Sequence, residues 1–133
     1  MADNRTFPLA PRHTFAGSID WTVLHNAAGK FDLIVDVQKV SAYYSGIAAL
    51  KPAAGQNAAA NVRNPGYTLV DARVVLAEIP LRDAQAEVSL WGKNLLDERD
   101  PSFLTDFGAA FQSLTVATFP DPRTYGVSVG VRF

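Results

Sequence analysis

Apolar and polar residues alternate with a period of two in five stretches of this chain. Successive side chains of a β-strand point to opposite faces, so this period indicates strands that have one apolar and one polar face. The pattern predicts an all-β fold, an antiparallel up-and-down meander of about five strands. The predicted strands cover residues 13–25, 30–44, 67–78, 84–96 and 123–133.

The last predicted strand has the clearest alternation. Only small or polar residues separate its apolar residues, which are Tyr125, Val127, Val129, Val131 and Phe133. Residues 123–133, at about 3.3 Å per residue and a tilt of about 45°, rise by about 25 Å. This rise matches the height of the apolar band of an outer-membrane β-barrel.

The connections between the predicted strands alternate between short and long. Short turns are expected near residues 26–29 and 79–83, and long loops at 45–66 and 97–122. Short turns on one side and long loops on the other are typical of outer-membrane barrels, whereas long unstructured loops are uncommon in compact domains. The alternative is a small soluble β-barrel binding protein, which would favour shorter loops and tolerate polar residues on both exposed faces.

The polar rows of the predicted strands contain charged residues, and in a barrel these rows would face the lumen. A shift of the third strand by one residue would turn Asp71 and Arg73 toward lipid. An outward arginine near the midplane costs about 2–4 kcal/mol, so the register is strongly specified. The residues predicted to face the lumen are Asp71, Arg73, Glu87, Lys93 and Arg132, together with Asp20, Asp32 and Asp36.

Composition argues against several other functions. The chain has 12 basic and 13 acidic residues and a net charge of -1, so nucleic acid is not an expected partner. Cysteine is absent, which excludes disulfides and thiolate metal sites. His13 and His25 open and end the first predicted strand, too far apart to share a metal ion. Without a catalytic or nucleotide-binding motif, we expect no enzyme activity, cofactor or metal.

The sequence before the first predicted strand has no apolar stretch of signal-peptide length. Either the true start lies upstream, or the chain is not exported. No stretch reaches the roughly 18 consecutive apolar residues of a membrane helix, although barrel strands give a much weaker signal.

Four segments, in this order and spacing, resemble TonB-dependent outer-membrane receptors. Residues 10–15 (APRHTF) resemble the "A-P-x-H" start of an earlier strand, and residues 67–73 (YTLVDAR) the start of the antepenultimate strand. Residues 88–98 (VSLWGKNLLDE) resemble the "N-L-F-D-E" segment, with Leu96 in place of the usual aromatic residue. Residues 122–133 (PRTYGVSVGVRF) are similar to the "P-R-x-Y-G" closing strand with its terminal Phe.

The resemblance implies the C-terminal segment of a 22-stranded transmembrane β-barrel in the bacterial outer membrane. Such a receptor takes up a scarce ligand, for example a ferric siderophore, with energy from the TonB complex. Implied partners are outer-membrane lipid, the plug and remaining strands, and the barrel-assembly machinery, which would read the closing strand that ends at Phe133. Because the plug, the TonB box and about seventeen strands of the family pattern are absent from this sequence, we expect no transport by this chain alone.

Overall fold

The computed structural model describes residues 4–54 and 56–133 of the chain. The fold is all-β, with 60% of the residues in strands and no α-helix in this described part. Two short 3₁₀-helices cover Ala59–Val62 and Ala109–Phe111. The strands are β1 (Thr14–Asn26), β2 (Gly29–Tyr44), β3 (Arg63–Pro80), β4 (Gln85–Lys93), β5 (Phe103–Asp106), β6 (Thr115–Thr118) and β7 (Thr124–Arg132).

Five strands form one antiparallel sheet in the order β1-β2-β3-β4-β7, which confirms the predicted five-stranded meander. β5 and β6 pair with each other as a separate two-stranded sheet between β4 and β7 in the chain. The sequence pattern missed this hairpin because each of its strands has only 4 residues, too few to display a period. No helix of the described residues is long and apolar enough to span a membrane.

Contacts divide the chain into two compact units, which we describe separately. The first, the sheet unit, contains most of β1, the first part of β2, most of β3, and all of β4 and β7. It consists of Ala16–Gln38, Thr68–Glu98 and Pro122–Phe133. The second, the loop unit, consists of the described residues up to Phe15, Lys39–Tyr67 and Arg99–Asp121.

In the sheet unit, the pairing of β3, β4 and β7 aligns their apolar residues in rows. Residues directly opposite each other in an antiparallel ladder point to the same face. Val88 lies between Leu76 and Val129, and the adjacent row consists of Val74, Leu90 and Val127. These rows form one continuous apolar face, and it is exposed: Val129 keeps 71% of its accessible surface.

A β-bulge interrupts the pairing of β3 with β4 between Leu76 and Ile79. Glu78 adopts a left-handed backbone conformation within it, with φ of 53°. The Glu78 carboxylate lies 3.1 Å from Nε2 of His25, at the end of β1. The bulge shifts the pairing by one residue and places Ile79 opposite Ala86, which pairs on its other side with Val131, so the apolar face continues past the bulge.

The loop unit has a small core of its own. Ala48, Ala59 and Val62 are buried together, and Tyr44 packs against them. The β5–β6 hairpin is held to this region by polar contacts, since the Tyr43 hydroxyl donates to the Ser102 carbonyl at 2.6 Å. The two long connections expected from the sequence therefore fold against each other within one unit.

Candidate functional site

The polar face of the sheet unit carries the charged residues that the sequence pattern selects. Arg73 lies opposite Trp91, and Trp91 lies opposite Gly126, so these three positions share one face. Strand positions two apart point the same way, which places five of the residues predicted to face the lumen together on this face. These residues are Asp71, Arg73, Glu87, Lys93 and Arg132.

Arg73 connects β3 to β4 on this face. Its Nη2 donates to Oε1 of Glu87 at 3.3 Å and to Oγ of Ser89 at 3.1 Å. Ser89 is almost fully buried, whereas the Arg73 and Glu87 side chains are 46% and 48% exposed. Exposed ion pairs contribute at most about 1 kcal/mol, so this contact orients the side chains more than it stabilises the fold.

Asp71 has a local structural role at the end of β4. Its Oδ1 accepts the Asn94 backbone N–H at 2.8 Å, and the Leu95 N–H donates to the Val70 carbonyl at 2.8 Å. Asn94 adopts a left-handed conformation, with φ of 49°, which ends the strand. Its Oδ1 in turn accepts the Glu98 N–H at 2.8 Å.

The "N-L-L-D-E" segment therefore has a physical explanation in this chain. It forms a turn whose two ends are both hydrogen-bonded to β3. At one end Asp71 accepts the Asn94 N–H, and at the other Oε2 of Glu98 accepts the Thr68 N–H at 3.1 Å. Asn94 and Glu98 supply the polar groups that hold the turn, and Leu96 is 60% exposed. The turn thus requires no aromatic residue at Leu96.

Trp91 interrupts the polar row of β4 in the sequence, and the structure shows why it can lie there. Its Nε1 donates to Oγ of Ser128 at 3.2 Å. Its ring covers Gly126, where an added Cβ would meet the ring carbon Cζ2 at 2.6 Å. The glycine on β7 thus provides the space for an aromatic side chain whose polar atom stays hydrogen-bonded.

Replacement of Gly126 by alanine is expected to push the Trp91 ring aside and break its hydrogen bond to Ser128. The ring end can shift, so we expect a loss of about 1 kcal/mol in unfolding free energy. Urea titration followed by Trp91 fluorescence, in a Trp21→Phe background, measures both effects. Gly130→Ala is the matched control, since a Cβ there meets nothing within 4 Å; equal behaviour of the two variants would contradict the prediction.

The polar residues of β1 and β2 form a second cluster in the sheet unit. Asp32 accepts a hydrogen bond from Oγ1 of Thr22 at 2.6 Å and pairs with Nζ of Lys30 at 2.9 Å. Asp20 and Asp36, the other acidic residues expected in the polar rows, are exposed. The sequence pattern did not single out Thr22 or Lys30, although both flank an acidic position in a polar row.

A cavity of about 410 Å³ opens on the polar face among β2, β3, β4 and β7. Its charged lining residues balance, with Asp36 and Asp71 against Arg73 and Lys93. The residues that the structure describes contain no group of three or more His, Cys, Asp or Glu that could hold a metal ion. The lining suits solvated charge pairing or contact with a mixed-charge protein surface.

The two histidines lie in different units. The His13 backbone N–H donates to Oγ of Ser41 at 3.0 Å in the loop unit, whereas the His25 ring contacts Glu78 in the sheet unit.

β7 forms one edge of the five-stranded sheet and β1 the other. All apolar residues of the closing segment are at least half exposed: Tyr125, Val127, Val129, Val131 and Phe133.

Comparisons of this chain with protein-family models, curated proteins and solved structures gave no match.

Proposed function

We propose that this chain is the closing segment of a 22-stranded transmembrane β-barrel, the C-terminal part of a TonB-dependent outer-membrane receptor. The parent receptor would take up a scarce ligand, such as a ferric siderophore, with energy from the TonB complex. The observation that carries the proposal is the pair of unlike faces of the sheet unit, one apolar and exposed, the other charged.

The apolar face suits hydrocarbon better than water. Three of its side chains, Val127, Val129 and Leu90, are 58–71% exposed although they lie in continuous apolar rows. Soluble monomers rarely expose contiguous apolar patches larger than a few hundred Å². Lipid covers such a face without a specific partner, while the charged face would line the lumen and contact the plug.

The two edges of the sheet fit a larger barrel. In hydrocarbon the backbone groups of an unpaired edge strand cost several kcal/mol each, so membrane sheets close on themselves. β1 and β7 would therefore pair with the remaining strands of the receptor. Phe133 and the apolar residues of β7 would be read by the barrel-assembly machinery before this closure.

Transport belongs, in this proposal, to the complete receptor. Five strands cannot enclose a lumen, and the plug that couples to the TonB complex would come from the N-terminal part. We infer no catalytic step, cofactor or metal for this segment. Its contribution would be a lipid-facing wall, a charged lumen lining, and loops that meet the ligand.

The two tryptophans offer a direct test, because they lie on opposite faces. Thr22 contacts Asp32 on the polar side, which turns the neighbouring Trp21 to the apolar side. Trp91 is hydrogen-bonded to Ser128 on the polar face. In phosphatidylcholine vesicles with brominated acyl chains, we expect strong quenching of Trp21 fluorescence, measured in Trp91→Phe.

Trp21→Phe provides the matched control, since Trp91 should keep its fluorescence in the same vesicles. Equal quenching of the two tryptophans would contradict the assignment of the faces. Recovery of the chain as a stable monomer in the aqueous fraction, without detergent, would contradict the membrane proposal. That second outcome would favour a small soluble β-barrel binding protein.

A further inference from the structure

The loop unit contains a cavity of about 450 Å³ with a strong excess of positive charge. Three arginines, Arg5, Arg12 and Arg63, line it, and within residues 4–54 and 56–133 no acidic residue is among the lining residues. This local excess stands against a net charge of -1 for the whole chain. We refer to this feature as the arginine cavity.

The three guanidinium groups are available to a ligand. Arg5, Arg12 and Arg63 are exposed, and none of them forms an ion pair or a side-chain hydrogen bond with the described residues. Three like charges around one cavity repel each other, and an anion placed among them removes this repulsion. Arginine presents rigid pairs of N–H donors that match the oxygens of phosphate.

The backbone at Arg5 is fixed on both sides. Oδ1 of Asn4 accepts the Lys51 N–H at 2.7 Å, and Nδ2 donates to the Lys51 carbonyl at 3.0 Å. The Thr6 hydroxyl donates to the Gly46 carbonyl at 2.7 Å and accepts the Ala48 N–H at 2.8 Å. These bonds hold Arg5 at the cavity before any ligand arrives, which lowers the entropy cost of binding.

Arg63 is positioned in a similar way. It begins β3 between Val62 and Asn64, both of which are buried, while its own side chain is exposed. The Val62 carbonyl accepts the Ser45 N–H at 2.8 Å. Two of the three arginines thus have fixed neighbours on both sides, which fixes the backbone positions from which their side chains extend to the cavity.

Apolar and aromatic groups complete the lining. Phe7 is 83% exposed, and Tyr44 and Leu50 line the same cavity. We propose that the arginine cavity binds a phosphate-bearing ligand whose apolar or aromatic part contacts Phe7 and Tyr44. Because all lining residues belong to the loop unit, the site does not depend on how the sheet unit meets the membrane.

Calorimetric titration of the full chain with inorganic pyrophosphate, in the neutral detergent octyl glucoside, tests the site. A hydrogen bond to a charged group contributes about 1.5–3 kcal/mol, so Arg5→Gln, Arg12→Gln and Arg63→Gln should each weaken binding at least about tenfold. Arg63→Lys keeps the charge but loses the paired donors, and its affinity should lie in between. Circular dichroism verifies that each variant keeps its strands.

Arg82→Gln is the matched control, because Arg82 is an exposed arginine in the turn between β3 and β4, outside the cavity. Its affinity for pyrophosphate should equal that of the unaltered chain. The proposal is overturned if pyrophosphate does not bind, or if the three cavity variants bind it as Arg82→Gln does. A failed tryptophan-quenching test would leave this result unchanged.

The source of the phosphate can be separated in the same assay. Phosphatidic acid is added to the octyl glucoside micelles, and the pyrophosphate titration is repeated with the unaltered chain. Weaker pyrophosphate binding in the presence of phosphatidic acid identifies a lipid headgroup as a competent ligand of the arginine cavity. Undiminished pyrophosphate binding identifies a soluble phosphate compound instead, and both outcomes support the site.

Discussion

Replacement of Val129 by arginine is expected to destabilise the chain by about 2–4 kcal/mol when it is assembled in phosphatidylcholine vesicles. Val129 lies in the middle of β7, in the apolar row with Val88 and Leu76, and is 71% exposed. In the proposed barrel, the arginine would point into hydrocarbon near the midplane. Urea unfolding of the vesicle-bound chain, followed by circular dichroism, measures the difference.

The neighbouring position provides a control on the same strand. Gly130 lies opposite Glu87 on the polar face, and a Cβ built there meets nothing within 4 Å. Gly130→Arg adds the same charge toward water, so we expect a change within about 0.5 kcal/mol. If Val129→Arg and Gly130→Arg are equally stable in vesicles, the apolar face does not contact lipid.

Replacement of Gly66 by alanine is expected to cost about 2–5 kcal/mol of unfolding free energy. Gly66 has φ of 91°, a conformation that side chains rarely adopt. A Cβ there would meet the Val40 carbonyl oxygen at 2.6 Å and the Ala42 nitrogen at 2.8 Å. These are backbone atoms, which cannot move aside without breaking the pairing of the strands.

Hydrogen exchange locates this effect. The Ser41 amide donates to the His13 carbonyl at 3.0 Å, so its exchange rate in Gly66→Ala should increase together with the loss of global stability. Gly46→Ala is the matched control in the loop unit, because its Cβ would meet only the Val62 side chain, with Cγ1 at 3.5 Å and Cβ at 3.9 Å, which are ordinary contacts. Equal stability of the two alanine variants would contradict the steric explanation.

Short polar motifs illustrate what a sequence can and cannot predict. The sequence places Asn94 and Glu98 around the end of the fourth predicted strand, but it gives no reason for their identity. The structure supplies the reason, because the Asn94 side chain binds the Glu98 backbone within the turn and the Glu98 side chain binds the Thr68 backbone of β3. The second bond joins residues 30 positions apart, and no local pattern contains it.

Trp91 shows the same limit for packing. Alternation alone treats it as an apolar residue in a polar row. Trp91 can lie on that face because Gly126 leaves space for its ring and Ser128 accepts its hydrogen bond. Both residues lie on β7, and only the register of β4 with β7 makes them neighbours of Trp91. The arginine cavity is a further example, since Arg5, Arg12 and Arg63 are scattered in the sequence and gathered by the fold of the loop unit.

The sequence by itself determined the five-stranded antiparallel meander, because a period of two directly encodes the two faces of each strand. Only the tertiary structure decided which charges pair, that a hairpin forms between Phe103 and Thr118, and that the first long connection forms a small core. The physical reason is the range of the interactions. The alternation of apolar and polar residues is visible among neighbours in the sequence. Ion pairs, buried contacts and cavities join segments that are distant in the sequence and that only folding brings together.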